Sequence, residues 1–144
     1  MIENDTVRLL RECDAGIRMG VDSINEVIDK VKGDSLRETL LRCREDHESL
    51  ADELRGMLDE CHDEGKKPNP VAKSMSWIKT NVEMTFDRSD ETIASLMTDG
   101  CNMGVKSLSR YLNQYAAADE RSKSLAKRLI DVESNAAISM RGEL

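Results

Sequence analysis

A nine-residue pattern that occurs twice constrains the fold of this chain more than any other feature. The pattern Gly-x-x-Met-Gly-Val-x-Ser-Ile/Leu occupies residues 16–24 and returns 84 residues later at residues 100–108. Each copy lies in a stretch whose apolar residues are spaced three and four apart, which is the period of an amphipathic helix. Two distant helices that carry the same face indicate two copies of one helical hairpin.

The composition favours an all-α domain without a nucleic-acid or membrane partner. The chain has 144 residues, which suits one domain, and only two prolines. Its formal net charge of −7 argues against binding to phosphates, which requires a basic face. No apolar run approaches the roughly 20 residues of a transmembrane helix, and the N-terminus does not have the pattern of a signal peptide. We therefore expect a cytoplasmic protein.

The apolar periodicity and its interruptions predict where the helices lie. Four long helices are predicted at about residues 5–32, 35–63, 90–116 and 119–141. Ser35 and Glu38 have the spacing of a capping box that would start the second helix. Ser89 or Asp90 is predicted to cap the third helix.

The long connection between the second and third helices predicts the topology. It contains Gly-Lys-Lys-Pro-Asn-Pro at residues 65–70, and a short crossover helix is predicted at about residues 71–86. A long crossover allows the second and third helices to run parallel, whereas a short turn would make them antiparallel. Two hairpins joined in this way predict one ferritin-like four-helix bundle over residues 1–144.

The repeated glycines predict close packing of two helices. Gly16 with Gly20, and Gly100 with Gly104, form small-x-x-x-small faces on the first and third helices. A glycine within a helix costs about 1 kcal/mol relative to alanine. We expect a close approach of the two backbones to offset this cost.

Four segments, taken in order, suggest a family. They are Leu-Leu-Arg-Glu-Cys-Asp-Ala-Gly at residues 9–16, Gly-Lys-Lys-Pro at 65–68, Trp-Ile-Lys at 77–79 and Ser-Asp-Glu-Thr-Ile at 89–93. This order resembles the DUF2383 family of bacterial ferritin-like proteins over nearly the whole chain. The resemblance implies a ferritin-like fold and a bacterial source. It implies no activity, because the family is uncharacterised.

The sequence lacks the ligands of a two-iron centre. Such a centre in a bundle takes a Glu from each of two helices and a Glu-x-x-His pair from each of the other two. His47 has Arg44 three residues before it, and His62 has Asp59 near the end of the second helix. A two-iron oxidase site is therefore not expected.

A different metal site is a second hypothesis. Cys43 and His47 share a helical face, and thiolates with an imidazole favour zinc over iron. The proposed zinc or iron ligands are Cys43, His47, Glu48, Glu133, Cys13 and Cys101. The alternative is that the cysteines are core packing and that His47 is hydrogen-bonded or at the edge of the bundle.

Two functions follow from these patterns, and a third is weaker. The first is a non-enzymatic bundle that acts through protein association, as a homodimer or with another protein partner. The alternative is a metal-binding or redox bundle that uses the Cys, His and Glu side chains. The third is a bundle that binds a small apolar ligand. No catalytic residue is predicted, because the chain offers no nucleophile with a base and no glycine-rich phosphate loop.

Overall fold

The computed structural model describes residues 4–66 and 89–144. Its four long helices are α1 (Asn4–Val27), α2 (Asp34–Glu60), α3 (Asp90–Gln114) and α4 (Glu120–Ser139). Short 3-10 turns follow α1 at Ile28–Lys30 and α4 at Arg141–Glu143. The described residues contain no strand, so the predicted all-α class and four long helices are confirmed. The predicted crossover helix at residues 71–86 lies outside the described residues.

The connectivity of the bundle follows from contacts at its ends. The carboxylate of Asp90, at the start of α3, accepts hydrogen bonds from the backbone N–H groups of Lys32 (2.9 Å) and Gly33 (2.7 Å). The third helix therefore begins where α1 ends, and it runs parallel to α2. Arg121 pairs with Glu60 near the opposite end of α2, which makes α4 antiparallel to α2. This is the predicted arrangement with one long crossover.

The first turn of α2 differs from the prediction, because no capping box forms there. Gly33 is the N-cap residue, with no side-chain cap, and Ser35 already lies inside the helix. A Cβ atom on Gly33 would lie 2.8 Å from Asp90 Oδ2, so a side chain at this position would displace the carboxylate that joins the hairpins. The predicted cap of α3 is confirmed, since Ser89 Oγ accepts a hydrogen bond from the N–H of Thr92 at 3.2 Å.

The buried apolar residues form two clusters, one above the other along the bundle. The upper core includes Ile24, Leu36, Leu40, Ile93, Met97 and Met140. The lower core includes Leu9, Leu10, Leu54, Leu58, Leu125 and Leu129. His47 and Glu133 lie in sequence between residues of the two cores, on α2 and α4. The middle of the bundle is therefore polar, although both ends are filled with aliphatic side chains.

Candidate functional site

The centre of the bundle holds a buried pair formed by His47 and Glu133. His47 is only 1% exposed. Its Nε2 atom lies 2.6 Å from Glu133 Oε1, and its Nδ1 atom lies 2.7 Å from the carbonyl oxygen of Cys43. A carbonyl and a carboxylate accept hydrogen bonds, so both ring nitrogens act as donors. The arrangement is that of an imidazolium paired with a carboxylate.

The pKa of His47 agrees with this geometry. Burial by itself lowers the pKa of a histidine, because it disfavours the charged form. Hydrogen bonds to Cys43 and Glu133, together with the negative charge of Glu133, outweigh burial and raise the pKa of His47 to about 10. The imidazole is therefore charged at neutral pH, although it lies in the interior of the protein.

Two cysteine thiols complete this centre. Cys43 Sγ lies 3.5 Å from His47 Nδ1. Burial, followed by the negative charge of Glu133, raises the pKa of Cys101 well above its ordinary value. Its thiol is therefore protonated at neutral pH, and a protonated thiol is a poor nucleophile and a poor metal ligand. We call four side chains the polar centre: Cys43, His47, Cys101 and Glu133.

The repeated glycines do not pack backbone against backbone, in contrast to the prediction. A Cβ atom on Gly20 would lie 2.7 Å from His47 Nε2, and one on Gly104 would lie 3.3 Å from Glu133 Cδ. These two glycines therefore make room for the His47–Glu133 pair. A Cβ atom on Gly16 or Gly100 would meet nothing within 4 Å. These two glycines face open space.

That open space is a cavity of about 790 Å³ between α1 and α3. The polar centre reaches it from α2, α3 and α4, while the four glycines line it from α1 and α3. Met19 and Met103, the methionines of the two repeat copies, also line the cavity, and they are 49% and 56% exposed. They therefore lie at its mouth. The wall is mainly apolar, and its charged floor is shielded from solvent.

The predicted metal ligands separate into two groups. Cys43, His47, Cys101 and Glu133 come together, whereas Glu48 is exposed and Cys13 is buried in the lower core. Burial raises the pKa of Cys13 to about 12, which suits a packing role. In residues 4–66 and 89–144, no group of three or more His, Cys, Asp or Glu side chains is placed to hold a metal ion. In addition, both ring nitrogens of His47 are already hydrogen-bonded, so neither is open to a metal.

The sequence analysis missed two buried features, one at the polar centre and one at Asp14. It placed His47 and Glu133 in one ligand set but did not predict that they pair with each other. It also missed Asp14, which is 5% exposed and accepts hydrogen bonds from Arg18 (3.2 Å) and from the N–H of Lys66 (2.9 Å). The sequence did contain a signal for the His47–Glu133 pair. Gly20 and Gly104 occupy equivalent positions of the repeat, and the absence of a side chain there leaves space for large polar neighbours.

Comparison with known proteins supports the fold and goes no further. No family model matches the chain, and no curated protein matches it. The structure is similar to the crystal structure of a DUF305 fragment from Deinococcus radiodurans, with a TM-score of 0.75 and 13% identity over 98% of this chain and 95% of that one. At this identity the likeness shows a shared helical fold alone. The DUF2383 resemblance gains no support and stays a prediction.

Two further sequence predictions concern the location of the protein and its partners. None of the helices in the described part of the chain combines the length and apolar character needed to span a membrane. The predicted homodimer or protein partner stays a prediction.

Proposed function

We propose that this protein is a binding protein that holds a largely apolar molecule in the cavity between α1 and α3. The observation that carries the proposal is the cavity of about 790 Å³, which is within the range of roughly 300–1,000 Å³ that is typical of small-molecule sites. The proposal is non-catalytic, because the Cys101 thiol is protonated and the imidazole of His47 is already paired. The polar centre serves to orient the ligand.

The outer glycines of the repeat support a binding role. Alanine in place of Gly16 or Gly100 would fit without a clash, because nothing lies within 4 Å of the added Cβ atom. Each glycine nevertheless costs about 1 kcal/mol of helix stability relative to alanine. Packing therefore does not explain these two residues. Larger side chains at the same positions would reduce the volume of the cavity, so a ligand that needs this volume explains them.

The test fills the cavity from both sides and measures the binding of a neutral probe. 1-Decanol, at monomeric concentrations, is titrated into the protein by calorimetry, and backbone amide shifts are followed by NMR. We expect binding to shift the amide signals of Gly16 and Gly100. In the double variant Gly16→Leu/Gly100→Leu we expect the affinity to fall at least tenfold.

The matched control for this test is Gly56→Leu on α2. Gly56 also has nothing within 4 Å of an added Cβ atom, but it does not line the cavity. This variant is expected to bind 1-decanol as the unmodified protein does. Equal binding by the control and by the filled variant would place the probe elsewhere and would contradict the proposal.

A second candidate function is metal binding, because Cys43, Cys101, His47 and Glu133 all line one cavity, although in the described residues they are not placed to hold a metal ion. It requires His47 to release Glu133 and the Cys101 thiol to lose its proton, so it ranks below ligand binding. Metal content is measured by plasma mass spectrometry on protein purified without a chelator. About one zinc or iron ion per chain, lost in Cys43→Ser, would support a metal centre, because such a centre binds one ion with these ligands. A protein that stays metal-free after incubation with zinc would remove this candidate.

A further inference from the structure

The charged side chains along the cavity have partners, so its interior offers no counter-ion to a charged ligand. The acidic residues of the lining are Glu12, Asp22, Glu26 and Glu133. Glu12 pairs with Lys66, and Glu133 pairs with His47, both at 2.6 Å. Of the other two, one has an interaction of its own and the other, Asp22, is exposed to solvent. A charged group inside the cavity would lose its hydration without compensation, so the interior suits a neutral ligand.

The polar centre offers hydrogen-bond acceptors and no free nitrogen donor. Both ring nitrogens of His47 already donate, one to Glu133 Oε1 and the other to the carbonyl oxygen of Cys43. The thiol of Cys101 is hydrogen-bonded to Glu133, and thiols are weak donors. A carboxylate has about four acceptor positions, so Glu133 can accept a further hydrogen bond. The group that complements this centre is therefore a donor.

The second oxygen of Glu133 is open toward the cavity. The Glu133 side chain is 11% exposed, whereas that of His47 is 1% exposed. Oε1 faces His47, but Oε2 lies 3.4 Å from the position that a Cβ atom on Gly104 would take. Because Gly104 lines the cavity and has no side chain, it leaves Oε2 uncovered on that side. A hydroxyl or N–H group of a ligand at this level can donate to Oε2.

The two helices that wall the cavity, α1 and α3, run antiparallel. The start of α3 meets the end of α1, where Asp90 accepts hydrogen bonds from the backbone of Lys32 and Gly33. At the opposite end of the bundle, Asp5 near the start of α1 accepts a hydrogen bond of 3.1 Å from the N–H of Ala117, just after α3. Equivalent positions of the repeat therefore move away from the polar centre in opposite directions.

The outer glycines lie on opposite sides of the polar centre. Gly20 and Gly104 share one level, because the Cβ positions of both lie within 3.3 Å of the buried pair. Gly16 and Gly100 each precede them by four residues, which is about 6 Å of helical rise. In antiparallel helices these steps have opposite directions, so Gly16 and Gly100 are about 12 Å apart along the bundle. The cavity therefore has two arms that meet at the polar centre.

We propose that the ligand is a neutral, elongated molecule with a hydrogen-bond donor at its middle, which donates to Glu133 while an apolar arm extends toward each of Gly16 and Gly100. A secondary alcohol or an N–H group within a long apolar chain has this chemistry. This inference rests on the proposed function, because it assumes that the cavity binds a molecule. It adds the kind of polar group and its place in the ligand. Ketones, ethers and esters are disfavoured, because their oxygens only accept hydrogen bonds.

The test compares three isomeric probes, so that composition and size stay constant. 5-Decanol has a donor near its middle, dipentyl ether has an oxygen there without a donor, and 1-decanol has its donor at one end. Each is titrated separately by calorimetry at monomeric concentrations. We expect 5-decanol to bind at least tenfold more tightly than dipentyl ether, because a site that binds a hydroxyl rejects an analogue that lacks it. The affinity for 1-decanol should lie between them.

Paired variants separate the acceptor from the cavity volume. In His47→Leu/Glu133→Leu the acceptor is absent, so 5-decanol should lose its advantage over dipentyl ether. The matched control is Glu53→Leu/Arg128→Leu, which removes another ion pair between α2 and α4 and does not change the lining of the cavity. The control is expected to keep the tenfold preference.

A second measurement needs no variant at the polar centre. The carbon-13 signal of the Glu133 carboxylate is followed by NMR in protein labelled at glutamate. It should shift further with 5-decanol than with dipentyl ether, because only the alcohol donates to the carboxylate. The carboxylate signal of Glu53, which does not line the cavity, should respond to neither probe.

The outcomes distinguish this inference from the proposed function. Equal affinity of the unmodified protein for 5-decanol and dipentyl ether would overturn the donor and leave the binding function in place. Tighter binding of 1-decanol than of 5-decanol would overturn the central position of the donor in the same way. If none of the three isomers binds, both this inference and the proposed function are overturned.

Discussion

The two interfaces between the hairpins differ, although both hairpins carry the repeated glycine pattern. On one side, α2 and α4 are joined by side chains that reach across: Arg128 pairs with Glu53 through contacts of 2.6 and 2.8 Å, and His47 pairs with Glu133. On the other side, α1 and α3 carry the glycine motif and leave a cavity of about 790 Å³ between them. One interface is closed by long polar side chains, and the other is held open by the absence of side chains.

This difference assigns a separate role to each interface. The contacts between α2 and α4 stabilise the bundle, so changes there should alter the free energy of unfolding. The outer glycines between α1 and α3 contribute space, so changes there should alter binding more than stability. The His47–Glu133 pair belongs to both interfaces, because it joins α2 to α4 and forms the floor of the cavity. Substitutions at each interface test this division, and the largest effect is expected at the buried pair.

Removing one member of the buried pair is expected to have the largest effect. Glu133→Leu leaves His47 without its acceptor in the interior, and the loss of one partner of a buried ion pair typically lowers the free energy of unfolding by about 3–5 kcal/mol. Urea denaturation at neutral pH measures the change. The double variant His47→Leu/Glu133→Leu is the control. It should recover most of the loss, because two apolar side chains replace the pair, and a double variant that is no more stable than the single one would contradict this explanation.

The same pair predicts a dependence of stability on pH. The pKa of His47 is raised from 6.5 to about 10 in the folded protein, so the folded state holds this proton more tightly than the unfolded state. The resulting stabilisation is fully present below pH 6.5, and it is lost as the pH rises through about 10. We expect a loss of a few kcal/mol, because one pKa unit corresponds to about 1.4 kcal/mol.

Denaturation curves between pH 6 and pH 10.5 measure this loss. The double leucine variant should lack this component of the pH dependence, because it has no histidine at the centre. If the unmodified protein and the double variant lose stability in parallel over the range, His47 is not the group responsible.

Alanine substitutions at the two glycines of the first repeat copy are expected to change the stability of the protein in opposite directions. In Gly20→Ala the new Cβ atom lies 2.7 Å from His47 Nε2, and such overpacking typically costs about 1–3 kcal/mol. In Gly16→Ala the Cβ atom enters open space, so the variant should gain up to about 1 kcal/mol from the better helix propensity. Thermal denaturation of both variants measures the difference. Similar changes in stability at the two positions would contradict the assignment of Gly20 to the buried pair and of Gly16 to the cavity.

The smallest expected effect is at the exposed edge of the closed interface. Arg128 and Glu53 form two short hydrogen bonds, but both side chains are partly exposed, with 46% and 38% of their surface in solvent. Arg128→Ala should therefore lower the free energy of unfolding by only about 0.2–1 kcal/mol. The loss should shrink in high salt. A salt-independent loss above this range would show that Arg128 contributes through packing of its aliphatic stem.

Prediction from the sequence succeeded where local chemistry decides. The spacing of apolar residues predicted the four long helices, and Ser89 was a possible cap of α3 because its hydroxyl can accept the N–H of Thr92. The predicted capping box at the start of α2 was wrong, because a contact from a distant part of the chain forms there. Ser35 and Glu38 have the spacing of a capping box, but Asp90, more than fifty residues away, binds the backbone at Lys32 and Gly33. Local patterns cannot contain that contact.

Four of the six proposed metal ligands lie together at the cavity, but their arrangement was not predicted. The segment Asp-His-Glu-Ser at residues 46–49 matches Asp-Val-Glu-Ser at residues 131–134, which relates Glu48 to Glu133 within the repeat. Yet Glu48 is exposed and Glu133 is buried. A repeat relates residues by their position along equivalent helices, whereas contact depends on how those helices face each other. Because α4 runs antiparallel to α2, His47 lies opposite Glu133, and Glu48 points away from the core.

The sequence by itself determined the helices and their pairing into two hairpins, and its six proposed ligands included the four side chains of the polar centre. These properties follow from periodicity, chain length and residue type, which are local. The tertiary structure alone decided that the glycines leave a cavity and a space for the His47–Glu133 pair. The physical reason is that a glycine removes a side chain without specifying what takes its place. The neighbouring helices determine whether that space is filled by a backbone, a side chain or a ligand.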